Sequence, residues 1–268
     1  LAIAQTLIIL TAGIDLSVGA IMILCSVVMG RTSVVYGVPL EIAFPLALLV
    51  GLACGVVNGV LVTILALPPF IVTLGTWSIF GALNTFYSRS ETIRQQDIEA
   101  AAPFLQWLGT RIDVAQGVAP ALRLVGIHIA PNVHAPLTYG TILLVLLAIA
   151  IWYLLNRTAF GRHVSASGDD PDSARLAGIS TNRTLIGVYA LAGVICAIAA
   201  WALIGRIGSV SPQAGQTANL DSITAVVIGG TSLFGGRGSI VGTLVGALIV
   251  GVFRNGLALS GLDVLWQE

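Results

Sequence analysis

Residues 11–20, "TAGIDLSVGA", place an aspartate between two stretches, 1–10 and 20–29, that carry no charged side chain. A carboxylate at the centre of a membrane helix costs about 2.5–3.5 kcal/mol on insertion scales. One unbroken helix through Asp15 is therefore disfavoured, and the stretch predicts two apolar segments meeting at a break over 13–17. Gly13 suits the end of the first segment, because glycine takes the left-handed conformation at helix ends. Asp15 or Ser17 suits the start of the second, where a side-chain oxygen accepts backbone N–H bonds and a carboxylate complements the helix dipole. An ionisable group inside an apolar region is also a standard candidate for contact with a substrate or an ion. Both roles stay open for Asp15.

The rest of the chain supports the membrane reading. Of its 268 residues 56% are hydrophobic and only 9% charged, with a mean hydropathy of +0.97. Soluble domains carry about a quarter charged residues, so this is an integral membrane protein. A net charge of zero argues against nucleic acid as a partner. All 12 basic residues are arginine. Without lysine the chain cannot hold a P-loop, which needs G-x-x-x-x-G-K-[ST]. If ATP drives this protein, a separate subunit binds the ATP and Mg, and no cofactor is expected here. Cys25, Cys54 and Cys196 lie in apolar runs and read as buried small hydrophobes. No metal-ligand spacing of Cys or His occurs, so no metal site is expected. Leu1 opens inside an apolar run, so the chain reads as a piece of a longer protein.

A helix needs about 20 apolar residues to cross a bilayer. On that ruler spans fall near 42–66, 137–155, 185–205 and 239–260, with a shorter one at 70–87 entered through Pro68-Pro69. A further short segment, 222–234, runs into a second glycine-rich interruption over 229–239, where Gly235 and Gly236 mark the break. Asp221 is expected to cap the helix starting at Ser222, and Arg237 reads as part of a helix-joining turn. Gly51, Gly55 and Gly59 share one helix face, as do Gly238, Gly242 and Gly246. Small residues four apart let helix backbones approach closely in lipid. Interrupted helices in two parts of one chain point to transporter architecture.

Two polar stretches, 88–136 and 156–184, hold four arginines each and are separated by one span, so they face opposite sides. The second is denser in arginine, which favours it as cytoplasmic. Within it Asp170 suits an N-cap, Pro171 the first helical position and Gly178 the residue past the end. Asp172 near the start and Arg175 near the end complement the dipole of the two-turn helix between them, which reaches through Leu176 and Ala177. So short a helix needs to dock on something: lipid headgroups or a partner protein. Within the spans, polar or amphipathic side chains are few. Asn58, Trp77 and Asn84, with Asp15 and Ser17, are the candidates for a substrate path, although each also suits ordinary helix-to-helix bonding.

"TAGIDLSVGAI", "FGRHVSASGDDPDSARLAGIS" and "LDSITAVVIGGTSLFGGRGSIVGTLVGA" resemble, in this order, hallmarks of the inner-membrane permease subunits of bacterial ABC importers for monosaccharides. These are the ribose, xylose and fructose group, and the polar stretches look closer to the fructose-type branch. The resemblance implies an all-α polytopic permease of about ten transmembrane helices, of which this chain would lack the first and the last. It implies a homodimer in the bacterial inner membrane, bathed in lipid and served by a cytoplasmic ABC ATPase and a periplasmic sugar-binding protein. It also implies a single permease domain over 1–268, with a periplasmic loop over 88–136. The cytoplasmic loop would be 156–184, with Asp170, Pro171, Asp172, Arg175, Leu176, Ala177 and Gly178 in contact with the ATPase.

Two rival classes follow from the residues. An ion-coupled secondary sugar transporter would use Asp15 or Asp221 as its coupling acid. A membrane hydrolase would need a nucleophile beside a base, yet His128, His134 and His163 all fall in polar stretches.

Overall fold

The computed structural model describes residues 1–113, 135–215 and 217–260. The described residues are all-α apart from one short antiparallel pair, β1 (Arg111–Asp113) with β2 (Pro136–Thr138). Among the described residues, six helices are long and apolar enough to cross a membrane. They include α2 (Val18–Gly30), which continues as one wider turn over Arg31–Val35, α3 (Leu40–Ile64) and α4 (Pro69–Ser88). The others are α6 (Tyr139–Arg157), α9 (Thr181–Ile207) and α11 (Ile240–Leu259). Shorter helices are α1 (Ala2–Leu10), α5 (Gln95–Ala101), α7 (Ala159–Asp169), α8 (Pro171–Leu176) and α10 (Ala218–Ile228).

Every residue of α2 is buried. A helix apolar all round belongs at the centre of a bundle, and α3, α4, α9 and α10 pack against it. On α6 only Ala148 and Ile151 are buried; Leu144, Leu146 and Ile149 are exposed and suit contact with lipid. Glycine sets the closest approaches. A Cβ on Gly51 would strike the Gly193 carbonyl of α9, and one on Gly55 the Tyr189 carbonyl. Gly242 and Gly246 likewise press on Gly229 and on Ala225 of α10. Both small-residue rows are thus used for contact within the chain.

The helices alternate between two ends. At one end Arg31 donates to the Ser88 carbonyl (2.7 Å) and pairs with Glu91 (3.2 Å), and Ile93 bridges to Val210. The described part of 88–136 is folded here: α5 and a 3-10 turn over Pro103–Gly109 bury Ile98, Leu105 and Leu108. Residues 114–134, with His128 and His134, lie outside the described residues. At the other end the stretch 156–184 is more ordered than its sequence suggests. It begins with the amphipathic helix α7, which contains His163, before reaching α8. The span boundaries otherwise fall within a few residues of those expected.

Candidate functional site

The break at 11–17 is built so that its backbone finds partners without water, as any non-helical segment inside a membrane bundle must. Helix α1 ends in a Schellman turn: Ala12 N–H donates to Ile9 O (2.9 Å) and Gly13 N–H to Ile8 O (3.2 Å). The left-handed residue is Ala12 (φ 58°), not Gly13 as the sequence suggested. Gly13 is small for another reason: an added Cβ would lie 3.1 Å from the Tyr189 hydroxyl. Beyond the turn, the Gln5 amide, oriented to suit both atoms, pairs with Asp15 N–H (3.2 Å) and Asp15 C=O (3.1 Å). Leu16 N–H donates to Thr73 Oγ1 of α4 (3.2 Å).

Asp15 does not cap α2. Its Oδ1 accepts the Ser17 N–H (2.6 Å) and the Ser17 hydroxyl (2.7 Å), and Asn58 Nδ2 donates to Ser17 Oγ (2.8 Å) and to Oδ2 at 3.5 Å. Ser17 sits at the N-cap, but its side chain makes no capping bond. The cap comes from α10 instead. Asn219 accepts the Gly19 N–H through Oδ1 and donates through Nδ2 to Leu16 O. Asp221 is no cap either: α10 starts at Ala218, and Asp221, in its first turn, pairs with Arg254 of α11.

The five path candidates separate into two groups. Asp15, Ser17 and Asn58 form a buried polar knot behind α2. Trp77 and Asn84 of α4 line an open cleft of about 580 Å³, together with Gly19 and Asn219 where α2 and α10 begin, and with Gln213. The cleft offers an indole face, amides and a serine hydroxyl, Ser78. Asn84 holds Pro212 O (2.8 Å), while its buried Oδ1 has no hydrogen-bond partner among the described residues. This wall carries no charged side chain, so it suits a neutral, hydroxyl-rich solute. Asn219 was missed as a site residue because its partners Leu16 and Gly19 lie about two hundred residues away in sequence.

Helix α8 is built as its sequence predicts. Asp170 accepts the N–H groups of Asp172 (3.0 Å) and Ser173 (3.1 Å), and Pro171 takes the first helical position. These bonds, with the Ser173 hydroxyl foremost, hold the Asp170 carboxyl below its ordinary pKa. Gly178 (φ 84°), following Ala177, closes a Schellman turn, with Ile179 N–H on Ala174 O (3.0 Å). Arg175 reaches Thr181 (2.9 Å) and Asp172 (3.4 Å). Leu176 is left 90% exposed.

The second break touches both this region and the first break. Gly235 (φ 85°) and Gly236 (φ 71°) form the turn between α10 and α11. Gly236 N–H donates to Leu10 O at the end of α1 (2.9 Å). No Cβ fits on Gly168 of α7, which lies against Leu10 O and Gly236 N, nor on Gly236, which lies against Asp169. One junction therefore joins α7, the end of α1 and the turn before α11.

The family described as branched-chain amino acid transport system / permease component matches residues 1–267. The chain is 57% identical over 263 residues to the fructose import permease protein FrcC of Rhizobium meliloti, covering 98% of this chain and 68% of that protein. It is 38% identical over 267 residues to the ribose import permease protein RbsC of Bacillus subtilis, covering 100% and 75%. It is 33% identical over 302 residues to the xylose transport system permease protein XylH of Escherichia coli K12, covering 100% and 77%. No solved structure matches.

Proposed function

The chain belongs to the family described as branched-chain amino acid transport system / permease component, and from that membership we propose that it is the permease subunit of an ABC importer for a monosaccharide. Fructose is the first substrate to test, given the 57% identity to a fructose import permease. The observation that carries the transport reading is the uncharged, amide-lined cleft at the start of α2 and α10, with Trp77 as its aromatic face. Apolar sugar faces stack on indole, and hydroxyls exchange hydrogen bonds with Asn84, Ser78 and Gln213.

In this reading the subunit does no covalent chemistry. Two copies form the pathway, a periplasmic binding protein delivers sugar at the end holding 88–113, and a cytoplasmic ATPase, carrying ATP and Mg, docks at α8. Exposed Leu176 supplies an apolar contact and Arg175 a charged one. Displacement of α8 passes through Gly168 and Asp169 to Gly236 and Leu10, and so to both interrupted helices. Each nucleotide state then biases the inward–outward equilibrium by its different contacts with α8. The ion-coupled rival is disfavoured: Asp15 is held by Ser17 and Asn58, and Asp221 by Arg254, so neither acid stands ready to release a cation.

The test reconstitutes permease, ATPase and binding protein in proteoliposomes. Replacing Arg175 and Leu176 together by Glu should abolish stimulation of ATP hydrolysis by sugar-loaded binding protein while the permease remains folded. Undiminished stimulation would refute the docking assignment. Uptake by the permease alone under an ion gradient would instead establish the secondary carrier.

A further inference from the structure

Helix α2 begins after the first break and α10 runs into the second, and one side chain ties their first turns together. Asn219 uses both halves of its amide: Oδ1 takes the Gly19 N–H, one of the donors a helix start leaves unpaired, and Nδ2 takes Leu16 O. The fit excludes any side chain at position 19, since a Cβ on Gly19 would overlap Asn219 Oδ1. The clasp is largely buried, with Asn219 7% exposed, but it forms part of the cleft wall. Gly19 and Asn219 both line the cleft, beside Trp77, Asn84 and Gln213.

We propose that Asn219 is a substrate-responsive latch: its amide clamps the start of α2 to α10, and adjacent hydroxyls of a sugar in the cleft compete for the same amide and release it. A vicinal diol presents a donor and an acceptor at a spacing an amide can bridge, so it matches the pair Asn219 now makes with Leu16 and Gly19. Release frees α2 from α10, and α10 leads through Gly229–Ser239 to the junction with α7. A sugar thereby favours the open state by its different contacts in the two states. Asn219 is on this account a positioning residue of the pathway, and the inference rests on the sugar-permease reading above.

The test uses the complete importer in proteoliposomes, with ATP hydrolysis measured at saturating binding protein with and without fructose. With the latch removed in Asn219→Ala, the fructose-free rate should rise towards the stimulated rate, so that their ratio falls about fivefold or more, the usual scale of coupling between sites. Gly19→Ala displaces the amide without deleting it and should do the same. The double variant should be no worse than either single one, since both remove one interaction. If Asn219→Ala does not fold, Asn219→Asp keeps the acceptor for Gly19, loses the donor to Leu16 and decides the question. A fructose-stimulated wild type with both single variants at the wild-type ratio overturns the latch alone, as does a loss of the stimulated rate with no rise in the fructose-free one. A wild type blind to fructose, ribose and xylose alike overturns the sugar reading and the latch with it.

Discussion

At the scale of single residues the fold turns on how Asp15 is held. Its carboxylate receives two bonds from Ser17 and one from Asn58, all out of reach of water. Asp15→Ala should lower the melting temperature in detergent sharply, because each buried donor left without an acceptor costs about 1–3 kcal/mol. Asp15→Asn keeps an acceptor for Ser17 and brings an NH₂ towards Asn58, whose Oδ1 has no hydrogen-bond partner among the described residues and can turn to meet it. The loss should be about 0.5–1.5 kcal/mol, the usual net worth of one hydrogen bond, with transport retained. A folded but inactive Asn variant would mean that the charge itself takes part in transport. The sequence made the break legible, since a carboxylate and a glycine in an apolar run leave little choice. It could not reveal that Ala12 takes the left-handed turn or that Asn219 supplies the cap. Those depend on the Tyr189 hydroxyl over Gly13 and on α10 beside Leu16, contacts with no local signature.

Among the elements, two kinds of order were written into the sequence. Glycine rows at helical spacing announced a close helix contact without naming its partner, which is α9 for α3, where Gly55 lies against the Tyr189 carbonyl. Gly55→Leu should force α3 from α9 and abolish folded expression, as read by size-exclusion chromatography. Gly75→Ala, where nothing lies within 4 Å, should be neutral or slightly stabilising. Helix α8 was legible from Asp170, Pro171 and Gly178 because capping is a local matter. Helix α7 was not, since "AFGRHVSASGD" has weak helix formers and takes its order from Leu10, Gly236 and the rest of the bundle. Asp170 also fixes a pH expectation. Its folded-state pKa is lowered, so its contribution is complete above the ordinary carboxylate value, about 3.9. That contribution is lost only as pH falls through the lowered value. Asp170→Asn should therefore show the same sugar-stimulated ATPase as wild type between about pH 5 and 8, and Asp170→Ala a reduced one across that window. A wild-type response that fell away near pH 6 and became flat in Asp170→Asn would contradict this assignment.

On the scale of the whole molecule, the helix directions decide what each face can meet. One span, α6, separates the folded segment 88–113 from α7 and α8, so these must lie on opposite sides of the membrane. The turn carrying Phe234, 91% exposed, lies on the side of Leu176, because Gly236 adjoins Asp169. Charge alone gave only a lean towards orientation, four arginines against four; the packing of Gly236 on Leu10 and Gly168 groups the segments without reference to charge. The three cysteines, Cys25, Cys54 and Cys196, are free and buried, so thiol labelling works on the native background. A membrane-impermeant maleimide applied to intact spheroplasts should label Gln106→Cys and leave Leu176→Cys and Phe234→Cys untouched. In inside-out vesicles the pattern should reverse, and adding the ATPase should then protect Leu176→Cys. Labelling of Phe234→Cys together with Gln106→Cys would break the grouping of the two interrupted helices with α8, and with it the route proposed above from an ATPase at α8 to the cleft.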